Sequence, residues 1–388
     1  MRGFVRFLVL LLGGLAIAYL GAWWYVQGRL GVAFRAQEQT LRQAGWTISH
    51  GATAEGNSPL AATFTVADLT FTPPDQGLPT PKTTLPTLVL KIRPTAPFTL
   101  DVGLPLAWRV TTPQGPAFTV QFAAIHDRYN FDPNAVFDHA PDPLRAGMVA
   151  FTDMRVDSAD TNFTLVSVKS FTADGTRNPQ AGTSATAMTM HESLTGLALS
   201  PIFVTLGHLP FEGKLAALRL DLDLSGPPLP SLAQTTIAPH PVELVPNSLA
   251  GVAVWQQLGP AIHAWAKAGG HGSYAIALSF GPLDAHEHGQ FGFDRAVQPT
   301  GKATLTAEGV GEFLGDVANA YPATVNFISN ITAQTAPYMA KTPAGIERLT
   351  IDFGLANGVL TANGKKAIDV PPITWPAETS TAPSTAKP

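Results

Sequence analysis

Hydrophobic and polar positions fall into three successive patterns along this 388-residue chain. The first is an unbroken apolar run, Phe7 to Val26 (FLVLLLGGLAIAYLGAWWYV), bracketed by Arg2 and Arg6 before it and Arg29 after it. At a rise of about 1.5 Å per residue such a run makes a helix about 30 Å long, the thickness of a bilayer's hydrocarbon core, so it predicts one N-terminal transmembrane helix. Ala16-Ile17-Ala18 and Leu20-Gly21-Ala22 also offer the small residues of a signal-peptidase site, which makes a cleaved leader the alternative. Retention is the preferred reading, because the run outlasts a leader's apolar core and ends in Trp23, Trp24 and Tyr25, rings suited to the headgroup level. A short basic start followed at once by an apolar run is how a signal-anchor begins, so the chain from Gln27 onward is expected outside the cytoplasm. In a bacterium that is the periplasmic side of the inner membrane.

The second pattern has a helical period. Arg29 to Ala44 carries Leu30, Phe34 and Leu41 along one stripe, and Gly45 is placed to end the helix. Gly28 and Gly31 are poor helix formers, so continuity with the apolar run is an open expectation.

The third pattern alternates. Phe64, Val66, Leu69 and Phe71 stand near alternate positions of Leu60–Thr72, and 87–93, 98–102, 106–111 and 118–123 read the same way. The clearest strand is Leu215–Ser225, with Leu218, Leu220, Leu222 and Leu224 on one side and Arg219, Asp221 and Asp223 on the other, as in an antiparallel sheet packed on a single face. The pattern returns in Tyr274, Ile276, Leu278 and Phe280, and in Leu349, Ile351, Phe353 and Leu355. Asn357-Gly358 and Asn363-Gly364 are type I′ turn signals and predict a three-stranded C-terminal meander.

Helices separate these strands. One is predicted from Asn247 to Ala268, with Trp255 and Trp265 among its core positions, a kink at Pro260 and a stop at Gly269-Gly270. Others are predicted over Glu308–Asn319 and Thr324–Met339. A weak repeat of helix, strand, turn and strand follows, with its first turn expected near Gly289 and its second at Asn357-Gly358. The expected fold is α+β, mainly antiparallel β with a few packed helices. Its parts are an anchor at 1–28, a juxtamembrane helix at 29–45, β-rich regions at 46–210 and 211–376, and a tail at 377–388 without large apolar residues.

Composition narrows the function. Net charge is −4 with 13% charged residues, which leaves no basic stripe for nucleic acid. The chain has no cysteine, so disulfides and thiolate metal sites are excluded. Nucleophile elbow, phosphate loop, HExxH and dinucleotide motifs are all lacking. The metal candidate is Asp284-Ala285-His286-Glu287-His288, whose Asp284, His286 and His288 would share one strand face. A hydrated hairpin face is the preferred reading. The connection from His126 to Asp142 gathers Asp127, Asp132, Asp138, His139 and Asp142, but Val136 stands where a calcium loop needs an oxygen ligand, so an exposed loop is preferred. His263 and His271 read as ordinary surface histidines.

Together the N-terminal span, Ala44-Gly45-Trp46, Gly281-Pro282-Leu283, Gln298-Pro299-Thr300-Gly301-Lys302-Ala303-Thr304-Leu305-Thr306 and Leu355-Ala356-Asn357-Gly358-Val359-Leu360 resemble, in their order, the alphaproteobacterial envelope proteins of domain of unknown function 2125. The resemblance implies a membrane-tethered periplasmic protein with no assigned activity, and it carries over no catalytic, cofactor or metal residue. The leading expectation is a non-enzymatic module that binds an amphiphilic ligand, a lipid or an envelope protein. A structural or assembly protein with a closed core is the second reading, and a hydrolase built on the acidic or histidine cluster is the third.

Overall fold

The computed structural model describes residues 2–56, 58, 60–74, 80–113, 115–133, 136, 143–207, 209–227 and 259–376 and, of residues 2–20 and 22, the backbone alone. It divides into two compact units, one comprising 1–174 and 196–200, the other 175–195 and 201–388.

The first unit opens with α1 (Arg2–Gln43), continuous through Gly28 and Gly31. It stops where Gly45 takes φ +89° and Trp46 N–H reaches back to the Leu41 carbonyl, the capping geometry that a glycine permits. The span expected over Phe7–Val26 falls mostly on side chains outside those described. Among the described residues, no helix is long and apolar enough to cross a membrane.

After α1 come β1 (Thr47–Ser49), β2 (Thr53–Glu55), β3 (Ala62–Thr72), β4 (Lys82–Arg93), β5 (Ala96–Gly103), β6 (Ala107–Thr111), β7 (Ala117–Gln121), β8 (Ala124–Phe131) and β9 (Leu144–Ser158). Every pairing among them is antiparallel. The long strands β4 and β9 each pair with two short ones placed end to end: β4 with β5 and β6, β9 with β8 and β7. Pro105, which cannot donate to a ladder, stands in the gap between β5 and β6.

The helical stripe explains where the core sits. Trp23, Val26, Leu30, Phe34 and Leu41 pack over Phe64, Val66 and Leu69, and Val66 is fully buried. At their upper edge Gln27 completes the β3 backbone, donating to the Thr63 carbonyl at 2.5 Å and accepting from Thr63 N–H at 3.0 Å.

Two further long strands, β10 (Thr164–Arg177) and β11 (Thr186–Leu199), contribute residues to both units. In the second unit follow α2 (Pro201–Gly207) and β12 (Lys214–Ser225), then a helix α3 over 259–267. The part of the expected tryptophan helix before residue 259, with Trp255, lies outside the described residues. Trp265 is buried against Phe291 and Phe293, as its spacing predicts.

The sheet continues with β13 (His271–Phe280), β14 (Leu283–Phe293) and β15 (Pro299–Glu308). Two helices, α4 (Val310–Ala320) and α5 (Val325–Thr335), lead to β16 (Met339–Lys341), β17 (Glu347–Ala356), β18 (Val359–Ala362) and β19 (Lys365–Asp369). Strands β12 to β15 pair consecutively, β15 joins β17, and the last three strands form the expected meander. Both Asn-Gly turns show positive φ at both residues, 52° and 70°, then 48° and 76°, as type I′ geometry demands.

One turn is elsewhere than expected. Gly289 lies in the middle of β14, and the chain reverses earlier, at Gly281-Pro282. The glycine serves packing, because the Tyr274 ring on the facing strand lies where a Cβ would be, 2.7 Å from the nearest ring carbon. A glycine inside a strand marks a close approach as readily as a turn.

The fold is mostly antiparallel β with a few packed helices, an α+β arrangement. The segment before the expected tail is tied back: Ile373 N–H donates to Gln298 Oε1 at 2.7 Å, and Trp375 Nε1 to the Val297 carbonyl at 3.0 Å. The tail itself, 377–388, lies outside the described residues.

Candidate functional site

Alternation along β12 predicts one apolar and one polar face, and the register carries that division across the sheet. On the apolar side stand cross-strand rows such as Leu220–Ile276–Glu287–Leu305–Ile351 and Leu222–Tyr274–Gly289–Ala303–Phe353. On the other side run Asp221–Ala275–His288–Thr304–Asp352 and Asp223–Ser273–Gln290–Lys302–Gly354–Thr361.

That polar side is hollow at one end. A concavity of about 820 Å³ is lined by His271, Ser273, Gln290, Thr300, Lys302, Ala356, Val359 and Thr361, over the backbone of Gly272, Gly292, Gly301 and Gly354. Its volume lies within the roughly 300–1,000 Å³ of small-molecule sites. Among these glycines Gly292 leaves the space: nothing lies closer than 3.6 Å to the place of its Cβ, whereas a Cβ on Gly272, Gly301 or Gly354 would meet neighbouring atoms at 2.7, 2.6 and 2.9 Å. A second hollow of about 340 Å³ adjoins it and shares Ser273, Gln290 and Lys302. Lys302 therefore stands where the two meet.

Charges elsewhere on this face are matched to neighbours. Asp221 accepts from Arg219 at 2.8 Å and faces His191 Nδ1 at 2.8 Å, and these contacts hold its carboxyl below the usual range, Arg219 most of all. Thr304 donates to Asp352 at 2.8 Å, and Arg348 pairs with Glu308 at 2.5 Å. Lys302 is exposed and makes no hydrogen bond or ion pair to the described residues.

The first unit has a hollow too, of about 400 Å³, on the side of its sheet that carries Lys91, Asp101 and Arg128. Here the charges are knitted across three strands, with Asp101 bound by Arg93 at 2.9 Å and Arg128 at 2.7 Å.

Each unit also places a tyrosine and a carboxylate in its apolar rows. Tyr129 lies over its cross-strand partner Gly147 and is hydrogen-bonded to Asp127, while Tyr274 lies over Gly289 and donates to Glu287 at 2.6 Å. Burial, reinforced by the neighbouring carboxylate, pushes both phenols up to about 12. Asp127 is raised above the usual carboxylate range because desolvation outweighs the Tyr129 hydrogen bond, and its Oδ1 is buried without a partner.

The candidates named by sequence fare differently. Asp284, His286 and His288 do share one strand face, on the polar side, with His286 Nε2 3.3 Å from Asp284 Oδ1 and both side chains more than half exposed. Of the acidic connection, Asp127 is half-buried in β8, and Asp138, His139 and Asp142 lie outside the described residues. Among the described residues no three His, Asp or Glu side chains are grouped to hold a metal ion. His263 stacks on Trp375 at 4.8 Å, inside the packing rather than at a surface site. Sequence reasoning passed over Ser273, Gln290, Lys302 and the glycine floor. The available signal was glycine at 272, 292, 301 and 354, inside runs that otherwise alternate as strands.

A family profile, described as an uncharacterised protein conserved in bacteria (DUF2125), matches residues 23–366. The chain belongs to this family. The match takes in α1 from Trp23 and every described strand up to the start of β19, so the hollow lies within what defines DUF2125. No curated protein and no solved structure matches the chain.

Proposed function

We propose that this DUF2125 protein is a membrane-tethered periplasmic module that binds an amphiphile without chemical turnover, and that the glycine-floored hollow of the second unit is its binding site. Phe7–Val26 is the tether, and β12 to β18 form the site. The observation that carries the reading is the hollow itself: about 820 Å³ of open space beside glycine backbone, Leu355, Ala356 and Val359, with hydrogen-bonding side chains on two adjoining rows, Ser225, His271 and Thr300 in one and Ser273, Gln290 and Lys302 in the other. Apolar walls with a few convergent polar groups are what small-molecule sites share. The exposed Asp284–His286 pair offers neither a held nucleophile nor an orienting group, which disfavours the hydrolase reading.

Full-length protein purified from membranes and extracted with organic solvent is expected to release an amphiphile, identified by mass spectrometry, in near-stoichiometric amount. Gly292→Leu, which places a side chain in open space, should keep the circular dichroism spectrum and lose most of that lipid. Equal lipid in both proteins, or none in either, would sink the reading. The tether is tested by alkaline carbonate extraction: the protein should stay with the membrane, and deletion of 2–26 should release it.

A further inference from the structure

The polar row through the hollow differs from its neighbours on the same face. One row away, Asp221 is matched by Arg219 and His191, and Asp352 by Thr304. At the far end of the face Glu308 is matched by Arg348, and Asp284 by Ser279 and His286. In the row Asp223–Ser273–Gln290–Lys302 none of the four side chains makes a hydrogen bond or ion pair to the described residues. The acid is separated from the base by two strands, so at about 4.8 Å per strand their backbones stand about 14 Å apart, too far for direct pairing. Lys302 is the sole lysine or arginine lining these two hollows, and the His271 Nδ1 at the edge of the larger one already faces the Gly269 carbonyl at 3.0 Å.

From this we infer that the hollow is selective for amphiphiles with an anionic oxygen head, a carboxylate or a phosphate ester, and that Lys302 is the residue that selects them. The inference rests on the amphiphile reading and adds the chemistry of the head. The ammonium supplies three donors and a full charge, and the Gln290 amide on the adjoining β14 and the Ser273 hydroxyl one strand further, on β13, supply neutral donors to the same head. The acyl chain then lies along the glycine floor, past Gly292 and Gly354 toward Ala356 and Val359. Asp223, at the other end of the row, is kept away from the head by the width of β13 and β14.

The test uses the full chain in nanodiscs of zwitterionic phospholipid and a diazirine-bearing palmitate as the probe. Irradiation should place label on peptides covering 271–273, 290–292, 300–302 or 354–361. Unlabelled oleate or oleoyl-lysophosphatidate should displace the probe at concentrations at least about tenfold below those of mono-olein, whose head is uncharged. Displacement by oleate alone marks the carboxylate as the source of the head and displacement by the lysophosphatidate marks the phosphate; either supports the inference. Lys302→Gln should erase the tenfold preference while mono-olein still competes, and Lys302→Arg should keep it. Label in the hollow with mono-olein as effective as oleate would overturn the anionic selectivity and leave the amphiphile reading standing. Absence of label from these peptides would overturn both.

Discussion

The two units build the same kind of sheet but line their hollows differently, the first with carboxylates among its cations and the second with none. In the first, Arg93, Asp101 and Arg128 neutralise one another across three strands, and Lys91, which lines the hollow without a hydrogen bond or ion pair to the described residues, stands directly opposite Asp101 on β5. In the second, Lys302 is the one lysine or arginine lining the hollow, its row-mates Ser273 and Gln290 are neutral, and Gly292 leaves open space nearby. A surface whose charges satisfy each other has little differential affinity to offer a charged ligand, whereas an unmatched ammonium beside open space does. The comparison separates charge that holds a sheet together from charge left free for something else.

The largest effect expected concerns the two sides of β14. Gly289→Val would drive a side chain into the Tyr274 ring and toward the Lys302 carbonyl, 2.9 Å from the new Cβ. Overpacking of this kind costs about 2–3 kcal/mol and should lower the urea midpoint. Gly292→Leu, only three residues away but over the hollow, should change it by less than about 1 kcal/mol, because the space is already there. If both cost the same, the hollow is not open space.

A smaller effect sharpens the difference in charge. Asp101→Asn leaves Arg93 and Arg128 facing each other without their shared carboxylate, and should cost about 1 kcal/mol of stability at low salt and less at high salt. Lys302→Gln breaks nothing within the described residues and should stay within about 0.5 kcal/mol. Chemical denaturation of the two variants side by side reads this directly.

The smallest effect is a pH slope. Because the folded pKa of Asp127 is raised, the folded state holds the proton more tightly than the unfolded chain. Its contribution is therefore complete below the unfolded value near 3.8 and is lost as pH rises through the higher folded value. Asp127→Asn should flatten the wild-type decline in stability as pH rises above 3.8, and only slightly, the group being half-buried. An unchanged slope would show that the carboxylate is solvated.

Legibility in the sequence followed the range of the interactions. Elements set by short-range pattern were readable: the stripe of Leu30, Phe34 and Leu41, the Gly45 stop, the leucine strand and the two Asn-Gly turns all stand where their spacing puts them. The Gly289 turn was misread because glycine has two uses in a strand, and only the tyrosine on the facing strand decides between them. Strands β9 to β11 carry weak alternation and were not anticipated, since most of their residues are neither fully buried nor fully exposed. The hollow was invisible for a related reason. Ser273, Gln290 and Lys302 come from three strands, and their meeting depends on register, which no single strand encodes.

The most direct test of the central claim is hydrogen–deuterium exchange of the full-length protein in nanodiscs, with and without oleate. Exchange should slow at 271–273, 290–292, 300–302 and 354–361 and stay unchanged at 89–93, 101–103 and 125–128, where Asp101 is held by Arg93 and Arg128 and faces Lys91. Protection confined to the first unit's hollow, or protection in neither, would contradict it.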